Sequence, residues 1–192
     1  MPFSPFADDE HDAPGADDVL TVAVLCGSLR RASINRMLLR AVRARAPPGM
    51  IVLGDAPIGS LPLFDPDLEA DMPHQVQVLR DMVMGGDALI IASPEYAHGI
   101  SGVLKNALDW LVSDERFTGK AVLVLNSSPS SVHADATLRE VLRTMSARIV
   151  GEASHPIPLR ARALDDAGVL GDPALVAAID QALEALRAAL AG

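Results

Sequence analysis

Short apolar runs alternate with longer amphipathic segments from Val19 to the end of the chain, and no repeat or low-complexity block interrupts them. A strand buried on both faces reads as a continuous apolar run, while a crossover helix shows apolar residues three and four apart, so this alternation predicts βα units. Strands are expected at Val19 to Cys26, Met50 to Leu53, Asp87 to Ala92, Ala121 to Leu125 and Arg148 to Ala153. Helices are expected from Ile34 to Ala46, stopped by Pro47-Pro48-Gly49, from Pro73 to Met84 ahead of Gly85-Gly86, from Ser101 to Val112, from His133 to Ala147, and from Asp172-Pro173 onward. Because each crossover must be right-handed and carry a helix, the expected fold class is α/β, a three-layer sandwich with a five-stranded parallel sheet of order 2-1-3-4-5 and helices on both faces.

In that order the chain reverses direction between strands one and three, and ligands of open α/β sheets bind at the carboxyl ends of the strands beside such a reversal. The loops that matter are then 27–35 and 93–102. The first reads Gly27-Ser28-Leu29-Arg30-Arg31-Ala32-Ser33-Ile34-Asn35 and leads from a strand into a helix. A helix N-terminus offers unpaired backbone N–H groups and about half a positive charge, so anions settle there. Ser33 is the expected N-cap, Ser28 and Asn35 can donate to phosphate oxygens, and Arg30 supplies a bidentate fork. The spacing matches neither GxGxxG nor GxxxxGK[ST], which points to a mononucleotide or other monoanionic phosphate rather than a dinucleotide or a hydrolysed triphosphate.

Composition narrows the partners. With 16 basic against 25 acidic side chains and a formal charge of -9, neither nucleic acid nor an anionic membrane is expected as a main partner, so an anion site must be local. The 192 residues, 49% of them hydrophobic, fit one core. Cys26, the single cysteine, closes an apolar strand and reads as a buried structural thiol, compatible with a reducing compartment. No cationic start followed by an apolar stretch marks a leader, and no apolar run approaches a membrane span, so a soluble, cytoplasmic chain is expected. Residues 1–17 carry five acidic side chains and three prolines and are expected to form a disordered acidic tail ahead of a domain spanning 18–192. The connection from Asp55 to Pro73 holds four prolines with Leu61, Leu63 and Phe64, a composition suited to covering a site.

The segments GSLRRASIN after strand one and PEYAHGISGVLKNALDW after strand three together resemble the NADPH-dependent FMN reductases of the flavodoxin-like superfamily, which also includes quinone, azo dye and chromate reductases. The resemblance runs from about residue 19 to 190 in strand and helix sequence. It implies a flavodoxin-like fold that binds FMN, takes a hydride from NADPH and passes it to a quinone-like or other small acceptor. On matching positions it implies that Ser28, Arg30, Ser33 and Asn35, with Ile34 between them, hold the FMN phosphate, and that Pro94, Glu95 and Tyr96 run along the ribityl chain and the isoalloxazine edge. It further implies a homodimer or homotetramer, for which the helix bearing Trp110 is a candidate contact. Arg30 or Arg31 is a candidate for favouring the extra phosphate of NADPH over NADH, a choice that the sequence leaves open and kinetics with both nicotinamides decides.

Other residues of the second segment have plainer readings. Lys105 and Asp109 are spaced as a solvated i, i+4 pair, and His98 as a solvent-exposed loop residue. After strand four such reductases commonly carry a glycine-rich turn, whereas Asn126-Ser127-Ser128-Pro129-Ser130-Ser131-Val132-His133 has no glycine, which hinders close backbone approach to a flavin and leaves the hydroxyls of Ser127 and Ser128 to meet its carbonyls. Two other classes share the fold: an electron carrier of the flavodoxin kind that does not turn over NAD(P)H, and a domain that has lost the flavin. Colour, and bleaching by NADPH, separate the three.

Overall fold

The computed structural model describes residues 19–128, 130–151, 155–159 and 165–191; the acidic segment 1–17 and Pro129 lie outside them. Strand β1 (Leu20–Cys26) lies at the centre, between β2 (Met50–Asp55) and β3 (Ala88–Ala92), and β3 continues to β6 (Ala121–Asn126). Two short strands, β7 (Arg148–Ile149) and β8 (His155–Pro156), both pair with β6, and every pairing in this sheet is parallel. The order agrees with the expected 2-1-3-4-5 once a small hairpin, β4 (Glu95–Tyr96) with β5 (Gly99–Ile100), is set aside as a separate sheet.

Strand alternation sorts the core into two layers. On one face Val22, Val24 and Cys26 of β1 with Ile90 of β3 pack against Leu38 and Val42 of α1 (Ile34–Ala44), Val169 of α5 (Asp166–Gly171) and Ile179 and Leu186 of α6 (Pro173–Ala191). On the other, Ala23, Leu25, Leu89 and Ile91 meet Leu79 of α2 (His74–Gly85), Leu104 and Leu108 of α3 (Gly102–Leu111) and Leu142 of α4 (Val132–Thr144).

Several boundaries differ from those the sequence pattern predicts. Strand β2 runs two residues beyond Leu53, because a register shift opposite β1 lets Asp55 pair with Val24. The strand expected at 148–153 is interrupted: Gly151 takes φ +80, outside any strand, and pairing with β6 resumes at His155. The helix α1 stops at Ala44, with Arg45 as its cap, and α4 stops at Thr144. The short helix α5 has no counterpart in the sequence pattern; Asp165 caps it through Gly168 N–H at 2.8 Å.

Trp110 is completely buried and belongs to the core of the single chain. Its indole Nε1–H donates to the Pro62 carbonyl at 2.9 Å and its ring meets Phe64 edge-on at 5.0 Å. Asn106, one helical turn earlier, takes the same segment from both sides: its Oδ1 accepts from Phe64 N–H at 2.8 Å and its Nδ2 donates to Pro62 O at 2.9 Å. The Asn and Trp of KNALDW thus pin the long 55–73 connection to α3. Removing the largest of these anchors empties a filled site, so Trp110→Ala should lower stability by about 3–5 kcal/mol in urea unfolding.

Candidate functional site

Where β1 ends, the Gly27 N–H donates to the Ala92 carbonyl at 2.9 Å, and the 93–102 loop starts one residue on. A Cβ on Gly27 would stand 2.3 Å from Ser93 Oγ and 3.1 Å from its Cα, so glycine here is what lets the two loops touch. From this contact the loops open around a cleft lined by Ser28, Arg30, Ala32, Ser33, Ile34, Asn35, Pro94, Glu95, Tyr96, Ser127, Ser128 and Ser131. All nine residues expected from the sequence as cofactor-binding stand on its wall.

The turn side is polar and largely shielded. Ser28, Ser33 and Asn35 are buried, while Arg30 is exposed at the rim. Ser33 is the N-cap of α1, accepting from Arg36 N–H at 3.3 Å, which leaves its own hydroxyl proton to donate. No acidic residue sits in the first turn of α1. The Ser127 hydroxyl donates to Asn35 Oδ1 at 2.7 Å, so it holds the Asn35 side chain by its oxygen and leaves the amide nitrogen as the donor. The glycine-free third loop is therefore tied to the first. Ser128 N–H bonds Asn126 Oδ1 at 2.9 Å, shaping the loop as an Asx turn. Ser131 lines the cleft although sequence reasoning gives it no place there; the run of hydroxyls at the end of a buried strand is the signal that could have found it.

The opposite wall is the β4–β5 hairpin. Ala97 and His98 at its tip both have positive φ, at 49° and 58°, a tight turn that non-glycine residues adopt at a cost of about 1–2 kcal/mol each. Two contacts hold it against α4. The Glu95 carboxylate accepts from His133 N–H and Ala134 N–H, both at 2.9 Å, and the His98 and His133 rings stack at 4.4 Å. His98 is exposed, as expected, but stacked rather than loose. Tyr96 is 56% exposed at the cleft mouth. The Ala134 and His133 amides at the start of α4 hold the Glu95 carboxyl below the usual carboxylate range.

The carboxylate thus does for α4 what no side chain of its own first residues does, since Ser131 makes no capping bond. Two helices start at this cleft. One carries a built-in anion, and the other does not.

Behind the turn, Cys26 is buried, and burial pushes its thiol up, away from the thiolate. Burial also raises the Asp55 carboxyl, against the opposing pull of the Cys26 N–H and Arg36. On α3, Lys105 and Asp109 form the expected surface pair at 2.5 Å.

A family model, NADPH-dependent FMN reductase, matches residues 20–159. The chain belongs to the NADPH-dependent FMN reductase family. It is an FMN-dependent NAD(P)H oxidoreductase of the flavodoxin-like fold. Among its relatives, an NAD(P)H-dependent FMN reductase of Pseudomonas aeruginosa is 33% identical over 179 residues, covering 90% of this chain and 95% of the relative. A quinone reductase of Escherichia coli is 34% identical over 140 residues, 69% of this chain and 74% of the relative. Among solved structures, a flavoenzyme NAD(P)H:(acceptor) oxidoreductase from Paracoccus denitrificans superposes with a TM-score of 0.73 at 29% identity, covering 88% of this chain and 98% of that one.

The Glu95 contact gives a pH-dependent prediction. A carboxyl held low in the folded state stabilises fully above its unfolded value and loses that contribution as pH falls through the folded value. Urea midpoints of wild type and Glu95→Gln should therefore differ at pH 7, wild type being higher, and converge on acidification below the usual carboxylate range.

Proposed function

We propose that FMN lies in the cleft between the 27–35 turn and the β4–β5 hairpin, with its phosphate on the turn and its ring against the hairpin. The donor set fits a phosphate: the hydroxyls of Ser28 and Ser33, the Asn35 amide, the Arg30 guanidinium and the first N–H groups of α1, Ile34 among them, all face one end of the cleft. Pro94, Glu95 and Tyr96 form the longer wall, where main-chain groups suit a polar ring edge and the tyrosine suits a flat apolar face. The observation that carries the reading is the difference between the two helix starts. An incoming dianion is repelled at α4 by the Glu95 carboxylate and meets unopposed donors at α1.

Bound FMN supplies hydride acceptance from NAD(P)H and hydride delivery to an acceptor. The chain's residues would fix the ring's position and shield the phosphate, with Tyr96 at the cleft mouth beside the ring. A quinone is the acceptor class we infer, on the strength of the Escherichia coli relative's name. The working unit is the single domain 18–192, placed in the cytoplasm and assembled as a homodimer or homotetramer. Among the described residues no helix is long and apolar enough to cross a membrane. Exposed apolar side chains such as Leu63 and Val112 are available to a second copy.

Purified protein given FMN should turn yellow, bleach with NADPH in the absence of oxygen, and regain colour when a benzoquinone is added. Yellow protein that does not bleach overturns the reductase reading in favour of an electron carrier, and colourless protein overturns flavin binding. Arg30→Ala should weaken FMN by about tenfold or more in a fluorescence titration, since a charge-assisted contact contributes about 1.5–3 kcal/mol.

A further inference from the structure

Beside the turn lies a second pocket, lined by Cys26, Leu29, Arg36, Asp55 and residues 56–59 and sharing no residue with the cleft. Two donors in it converge on one backbone oxygen. Arg36 Nη2 donates to the Ser28 carbonyl at 3.2 Å, and the Cys26 thiol approaches the same oxygen at 3.7 Å. Arg36 is itself held: its Nε faces Asp55 Oδ2 at 3.3 Å as an ion pair. The other oxygen of Asp55 accepts from the Cys26 backbone N–H at 3.0 Å, fixing the carboxylate to the last residue of β1. The register shift between β1 and β2 is what brings Asp55 opposite Val24 and within reach.

The Ser28–Leu29 peptide is planar and trans, so its C=O and N–H point in opposite directions. A carbonyl drawn toward Arg36 turns the Leu29 N–H away from Arg36, and Ser28, which carries that carbonyl, lines the cleft. The alternative orientation would put a carbonyl oxygen, a partial negative charge, where a phosphate is to bind. The far end of the turn is closed by the main chain, where Ser33 Oγ accepts from the backbone N–H of residue 36, a bond that side-chain variants at 36 keep.

We propose that Arg36 and Asp55 are positioning residues for the phosphate end of the cofactor. They hold the 27–33 turn in its anion-accepting form from the second pocket, without touching the ligand. This rests on the reading of that turn as the phosphate seat. The two arginines then have different roles, Arg30 at the rim meeting the ligand and Arg36 in the second pocket meeting the backbone.

Riboflavin shares the ring and ribityl chain of FMN and lacks the phosphate, so the ratio of the two affinities isolates the turn. Wild type, Arg36→Met and Asp55→Asn should be titrated with both flavins by fluorescence quenching, and their apo forms compared by thermal unfolding. Wild type should prefer FMN by on the order of a hundredfold, and each variant should cut that preference by about tenfold while riboflavin affinity stays unchanged. Arg36→Lys keeps the charge but lacks the fork needed to span Ser28 and Asp55, and should restore little of the ratio.

A wild type without preference for FMN overturns the phosphate seat and the proposal with it. A wild type that prefers FMN, with variants that keep its ratio or lose both flavins alike, overturns the positioning role alone. Tighter FMN binding by Asp55→Asn overturns it too, because that outcome means Arg36 is freed to bind phosphate directly.

Discussion

The pairing of β1 with β3 brings the starts of two loops together, and the site depends on that adjacency. Parallel pairing in register from Val22–Ala88 to Cys26–Ala92 ends in the Gly27 to Ala92 bond, and both chains leave the sheet at the same level. Had the strands been separated by one position in the sheet, about 4.8 Å of extra spacing would divide the polar turn from the hairpin, and no single ligand end would meet both. The missing Cβ at Gly27 is the local condition for this contact. A Cβ there would collide with the Ser93 side chain, 2.3 Å from its hydroxyl oxygen and 2.8 Å from its Cβ, and press on its Cα at 3.1 Å.

Electrostatics then assigns the two ends of the cleft different partners. Helix starts in a doubly wound fold all point toward the carboxyl edge of the sheet, so several of them compete for any anion. Here α4 is filled by Glu95, while α3 and α1 each carry a serine cap on the third N–H at 3.3 Å, and of these two starts the one that lines the cleft is that of α1. At α1 the cap closes only the third N–H and leaves the first two beside Arg30. The net charge of -9 makes this local arrangement more necessary, since the field of the whole protein repels the ligand that the turn accepts.

The parallel sheet and its order are legible in the sequence because strands buried on both faces leave an unbroken apolar signature, and Ala88-Leu89-Ile90-Ile91-Ala92 can be little else. The polar turn is legible for a related reason: hydroxyls, an amide and a guanidinium have no use between an apolar strand and a helix unless something charged is met there. Contacts between distant segments are not legible. Nothing local distinguishes Asp55, Glu95 or Asn106 from surface residues; each finds its partner 29, 38 or 42 positions away. The helical face of Trp110 marks it for a core or a subunit contact, and it does not reveal that a proline-rich segment folds back over it. The hairpin at 95–100 escapes a sequence reading because two-residue strands carry no periodicity and its tip uses Ala97 and His98 where glycine or asparagine signals such a turn.

The anchoring of residues 62–64 by Asn106 and Trp110 reaches further than the segment itself. The same connection presses Gly59 against the side chain of Leu29, so that a Cβ at 59 would stand 2.7 Å from Leu29 Cδ2. Helix α3 follows directly on the hairpin at its front end and clamps the backing of the polar turn with its body. One rod therefore spans both jaws of the mouth, and neither jaw can be reshaped through that rod alone. Divergence toward new acceptors is channelled instead to the parts that no such tie reaches, the exposed hairpin tip and the rim arginines.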